Sequence, residues 1–370
     1  MKKMQFLIIA VLFLFISVTH SYASHKVVWM RSGSKSGFWP VTERVIRAAA
    51  LDLGIELEII RFNNDPILMV QLAEKSLSDI KKKPDCILFH NYKKRGEKLL
   101  KLAEKYGVYA FIFNAGFPKE ANVGQPREKY SRWIGQMYPD DEYAGYILAK
   151  KLYEAAVKMK KIKKADQVHL VALEGNRTSE ASNARVRGLK RALKENNKII
   201  NHQFFHSKWK ENLAMEAFSA STARYPKVTV FWTASDNMAI GITKAAAKEN
   251  WRPGIDYVTG GIDLLPQNQD YLKFGKLAVS VGGHYAEGAW ALILIYDYLN
   301  GKDFTDFGLT TFLTRMSALT PADYSSTVDL RKRLSDESLK DIDFKKFSRT
   351  HNPDLKEYSF NIGALISFHP

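Results

Sequence analysis

A chain of 370 residues, 46% hydrophobic and 25% charged, is too apolar to be disordered and long enough to bury two cores of ordinary size. Its formal charge of +16 bears on solubility and partners, not on fold. A single cysteine, Cys86, excludes an internal disulfide and any zinc site built mainly from thiolates.

At the start, Lys2 and Lys3 precede an unbroken apolar run from Phe6 to Ile16, and the small residues Ser21 and Ala23 follow where a signal peptidase accepts them. The run is shorter than the ~20 residues of a spanning anchor. Residues 1–23 are therefore expected to be a cleaved export signal, with Ser24 the first mature residue and the periplasm the destination. No cysteine stands near the cleavage point to take a lipid.

Beyond the signal, short β-rich runs alternate with longer runs of helical period. Strands are predicted over 27–30, 56–61, 86–90, 109–114, 168–173, 228–232, 257–262 and 277–281. Helices are predicted over 66–80, 95–106, 141–157, 180–196, 213–225, 237–250 and 285–299. Such alternation predicts an α/β fold of doubly wound parallel sheets. The rhythm breaks in a polar stretch holding Gly116, Pro118, Gly124 and Pro126, and a second block of βα units begins at Pro139. Two lobes are expected, 24–136 with 284–310 and 137–283 with 311–345, followed by a surface-wrapping extension over 346–370. Ligands of parallel sheets bind beyond the strand C-terminal ends, so two facing sheets make a cleft.

Enzyme motifs fare poorly. Ser32-Gly33-Ser34-Lys35 and Ser235-Asp236-Asn237 spell two of the three motifs of penicillin-binding enzymes, but no Lys-Thr-Gly strand completes them. The nine histidines include no His-Glu-x-x-His, and no Gly-Lys-Ser/Thr phosphate loop occurs, so neither a metal nor a cofactor is expected. An exported serine hydrolase using Ser34 or Ser235 stands as the opposing class of function. Asp140, Asp141 and Glu142 read as acids at a helix start, Lys158 to Lys164 as a solvated helix end that could also meet anionic lipid or an acidic partner, and Cys86 as a small core residue.

The informative residues lie just past strand ends. Ser36-Gly37-Phe38-Trp39 places two adjacent aromatics in a loop, Pro84-Asp85-Cys86-Ile87-Leu88 and 107–114 precede or form strands, and Ile134-Gly135 leads to Pro139-Asp140 and Ala144-Gly145. Arg185, Arg187 and Gly188 follow, then 233–241, Gly260-Gly261-Ile262-Asp263 and Gly275-Lys276-Leu277-Ala278. In this order and spacing, over about 26–310, the sequence resembles the periplasmic sugar-binding proteins of ABC transporters, those of the type I periplasmic binding protein fold.

That resemblance implies two lobes joined by a three-crossing hinge that closes on a sugar-like ligand. Phe38 and Trp39 match the family's stacking pair and Trp209 the aromatic of the other lobe. Asn114, Gln136 and Asp263 match hydroxyl-binding positions; the binding arginine falls on Asn183 or Arg185; the asparagine before Asp236 is Ser235; and the late glutamine falls on Gly283 beside His284. The resemblance further implies a monomer without catalysis, serving an inner-membrane ABC permease or, alternatively, a membrane sensor kinase or cyclase. Repressors share the fold but carry a DNA-reading motif where this chain has its export signal, so nucleic acid is not an expected partner.

Overall fold

The computed structural model describes residues 24–33, 37–159, 167–324 and 329–363, so the export signal, Ser34 to Ser36 and most of the lysine run lie outside the described residues. Twelve strands follow in chain order: β1 (Lys26–Arg31), β2 (Glu56–Arg61), β3 (Cys86–Phe89), β4 (Tyr109–Phe113), β5 (Trp133–Pro139), β6 (Val168–Glu174), β7 (Ile199–His206), β8 (Val230–Thr233), β9 (Val258–Asp263), β10 (Val279–Gly282), β11 (Thr311–Thr314) and β12 (Ser317–Leu319). They form two six-stranded sheets, ordered β11-β5-β4-β3-β1-β2 and β12-β10-β9-β8-β6-β7, parallel throughout except where β12 runs antiparallel to β10. The doubly wound α/β fold expected from the sequence is the fold observed.

The main helices are α1 (Phe38–Leu53), α2 (Pro66–Ser78), α3 (Gly96–Tyr106), α4 (Asp141–Ala156), α5 (Glu180–Glu195), α6 (Glu211–Arg224), α7 (Asp236–Lys248), α8 (Gln269–Lys273) and α9 (Glu287–Leu299). Strand alternation divides the first lobe's core into two layers. Val27 and Trp29 of β1 face α1 and α9, whereas Val28 and Met30 face α2 and α3. A central parallel strand is buried on both sides, which is why β1 reads as continuous apolar sequence while the edge strand β2 alternates. Local chemistry sets the helix ends: Asp65 accepts from the amides of Ile67 and Leu68 ahead of Pro66, and Asp140 accepts from Tyr143.

The chain passes between the lobes at 139–141, 283–286 and 314–317, the three crossings implied by the resemblance, and it crosses a fourth time after β12, because the residues from Leu334 onward pack on the first lobe again. Thr314 binds the first three together. Its carbonyl accepts from the Asp140 amide at 2.9 Å, and its hydroxyl donates to Glu287 at the start of α9.

The lobe boundaries differ from those expected. All of β5 belongs to the first sheet, so the first crossing falls after Pro139, and β11 adds to β5 in the first lobe where 311–345 was assigned to the second. Leu334, Leu339, Ile342 and Phe344 are buried in the first lobe's core as well. The cause lies in α9, buried at every position from Glu287 to Asp297: the sheet covers one side and the tail must cover the other. Phe360 stacks on Trp290 with centroids 5.1 Å apart, and the buried Asp297 carboxylate accepts from the amides of Arg349 and Thr350 and from the Tyr358 hydroxyl. The tail is structural.

Candidate ligand site between the lobes

A continuous file of rings and charges crosses from one lobe to the other. In the first lobe His90 stacks on Trp39, centroids 4.6 Å apart, and Phe38 packs edge-on against Trp39. Phe38 then lies on His284 of the second crossing, centroids 4.6 Å apart and planes 24° from parallel. His284 Nε2 is 3.3 Å from an Arg185 terminal nitrogen, and the Arg185 guanidinium sits over the Trp209 ring at 5.6 Å.

Two glycines place Arg185. A Cβ on Gly145 of α4 would sit 1.9 Å from the Arg185 carbonyl oxygen, and one on Gly188 of α5 would sit 1.9 Å from that of Glu142. The two helices thus touch backbone to backbone. At that distance Arg185 Nε reaches Asp141 Oδ1 at 2.7 Å, one terminal nitrogen donates to the Ala234 carbonyl at 2.6 Å, and Asp263 Oδ1 lies 3.5 Å away.

Electrostatics follow from burial. Asp141, Asp236, Asp263, His284 and Glu287 are all buried around this one guanidinium. Desolvation lifts the Asp263 carboxyl to about 8 against the pull of Arg185, with Asp236 and Asp141 adding to the rise. Asp141 and Asp236 are lifted to about 6 by the same cause, offset respectively by Arg185 and by bonds from the Leu265 amide and Ser280 hydroxyl. Burial drives Glu287 well above and His284 well below their ordinary values, so the imidazole is neutral. Four buried polar atoms of the file and its surroundings have no partner among the described residues: Glu287 Oε2, His284 Nδ1, Ser235 Oγ and His90 Nδ1. Each leaves a hydrogen bond unmade at a cost of about 1–3 kcal/mol unless a ligand completes it.

Of the residues singled out from sequence, Phe38, Trp39, Arg185, Trp209, Asp263 and His284 come together in this file. Gly283, with φ 105°, turns the chain into it and packs on Ile362 of the tail. Ser36 lies outside the described residues. Asn114 turns the chain at the end of β4 with φ 67°. Gln136 is held inside the first lobe, donating to Thr311 at 2.8 Å and to Gln125 at 3.2 Å, so its amide is spent on the sheet. Asn183 is exposed and donates to the Arg177 carbonyl. Asp236 is spent on holding Leu265 and Ser280. Sequence reasoning missed Asp141 and Glu287. Asp140 already caps α4, leaving Asp141 free to pair with Arg185, and Glu287 is an acid inside an otherwise apolar run.

A family model described as the periplasmic binding protein domain matches residues 27–303. Among solved structures, the chain is 30% identical to a periplasmic sugar-binding protein from Pseudomonas fluorescens, with 92% of this chain and 99% of that one covered and a TM-score of 0.81. An ABC transporter solute-binding protein from Actinobacillus succinogenes with bound D-allose is 18% identical, covered over 82% and 100%, with a TM-score of 0.70. The binding protein of the arabinose transporter from Shewanella sp. ANA-3, bound to L-arabinofuranose, is 16% identical, covered over 84% and 98%, with a TM-score of 0.71. No curated protein sequence matches the chain.

Proposed function

The chain belongs to the periplasmic binding protein domain family, and from that membership we propose that it captures a sugar or sugar-like molecule between its lobes by hinge closure and delivers it to an inner-membrane ABC importer. The observation that carries this reading is the file from Phe38 through His284 to Arg185, which spans both lobes at the crossings and has four buried polar atoms around it without a partner among the described residues. A sugar suits such a place. Its C–H faces lie against aromatic rings, and its hydroxyls both donate and accept, matching carboxyl oxygens, a neutral imidazole and a serine hydroxyl. In this reading the protein is exported, acts as a monomer and changes no covalent bond.

Micromolar affinity requires about −8 kcal/mol, within reach of stacked rings and a satisfied hydroxyl rim. The test is a thermal-shift screen of residues 24–370 against monosaccharides, polyols, sugar acids and nucleosides. A ligand at 100 times its Kd stabilises by ~2.7 kcal/mol. An upward shift with one sugar class is the expected result; a shift only with ligands lacking hydroxylated rings would overturn it.

A further inference from the structure

A second cluster of charged side chains lies beside α1 in the first lobe. A cavity of about 850 Å³ opens beside α1, lined among others by Arg31, Glu43, Arg44, Arg47, Arg61 and Lys340. The α1 positions concerned recur at helical spacing on the side of the helix that does not face α9, so this cavity and the file at Phe38 use different faces.

Glu43 is the centre of the cluster. Arg31 Nε lies 2.8 Å from one of its oxygens, and a terminal nitrogen of Arg47 lies 2.8 Å from the other, which Arg61 also contacts. Three guanidiniums therefore share one carboxylate. Arg31 and Arg61 are register partners on the adjacent strands β1 and β2, about 4.8 Å apart, and Glu43 is the carboxylate that holds these two like charges side by side. Arg31 is buried, and burial, with Arg61 and Arg47 nearby, pulls its guanidinium below the ordinary value despite Glu43. Asp336 of the tail is the other acid on the wall; with it, two carboxylates face five cations. Arg47 and Arg61 are each about half exposed, so their forks reach an incoming group without unfolding.

We propose that this cavity is a binding site for a phosphate group, held by the arginine forks that Glu43 gathers and closed on one side by Lys340 of the tail. Arginine forks match a tetrahedral oxyanion in bidentate geometry, and a dianion brings the local charge close to balance. The same chemistry is offered by a soluble phosphate ester and by a phospholipid headgroup.

The experiment uses the full mature chain, residues 24–370. Inorganic phosphate and glycerol 3-phosphate are titrated by calorimetry against chloride at equal ionic strength, and vesicles of phosphatidylglycerol are compared with vesicles of phosphatidylcholine. Phosphate is expected to bind where chloride does not, with affinity at least about tenfold weaker in Arg47→Ala/Arg61→Ala. Glu43→Gln, which removes the competing carboxylate, is expected to bind phosphate more tightly. Should that variant fail to fold, the arginine pair still decides the matter. Binding to phosphatidylglycerol vesicles alone, abolished in the arginine pair, assigns the phosphate to a lipid. Equal responses to phosphate and chloride in solution with no vesicle binding, or undiminished binding in the arginine pair, would overturn the proposal. Any sugar response of the cleft serves as an independent check that the variants are folded.

Discussion

Phe38 lies face to face with His284, centroids 4.6 Å apart, although one ring opens a helix of the first lobe and the other sits on the chain that leaves the second. The contact lies at the crossing itself. Phe38→Ala removes that face and is expected to weaken sugar binding about tenfold, while lowering Tm by only a few degrees. Calorimetry with the sugar found by screening checks it, and unchanged affinity would place the ligand elsewhere.

Arg185 and Asp141 form a buried pair, so breaking it differs from removing it. Arg185→Met should destabilise by about 3–5 kcal/mol because it strands a buried carboxylate, and Arg185→Met/Asp141→Leu should recover much of that loss. Urea unfolding of the two variants distinguishes this from simple loss of packing, which the double variant would not repair.

The pH profile carries a sign. A carboxyl whose folded value is raised holds its proton in the folded state after the unfolded chain has released it, so stability falls as pH rises between the two values. Asp263, lifted to about 8, acts this way up to pH 8, and Glu287 in the same direction. His284 and His90, with depressed values, act oppositely but only below about 6.5, the ordinary histidine value. The unliganded protein should therefore lose stability between pH 6.5 and 8, by at most about 1.4 kcal/mol per pH unit for each such group. Asp263→Asn should flatten that slope; an unchanged slope in thermal melts would mean Asp263 is ionised throughout.

Gly188→Ala would force α5 away from α4, since its Cβ would meet the Glu142 carbonyl oxygen at 1.9 Å. The expected outcome is a loss of ligand affinity larger than the accompanying fall in Tm suggests, because the shift separates Arg185 from Asp141. Measuring both on the same sample tests it.

Much of this was legible from residue order alone. β2 spans 56–61 as read, and α4, α5 and α7 begin within a residue of their expected starts, because burial imposes a clear period on those segments. β7 escaped: Ile199–His206 is an edge strand, half-buried along most of its length, and its sequence IINHQFFH lacks the apolar continuity of its neighbours. β5 was hidden by Gly135, which is needed because Phe111 and Phe304 press against it. β11 and β12 have four and three residues and exist only through distant pairings. In the site, the aromatic and charged residues at loop ends were visible, but whether a polar side chain serves a ligand or its own lobe, as Gln136 and Asp236 do, depends on neighbours from elsewhere in the chain.

The tail's packing sets the smallest piece that can be made in isolation. A fragment ended at residue 303, where the family model stops, would lack β11 and leave β5 as an open sheet edge, and would strip Phe344, Phe347 and Phe360 from Trp290. Such a fragment should self-associate through that edge, so recombinant work on this protein has to keep the residues beyond the conserved domain if the product is to stay monodisperse.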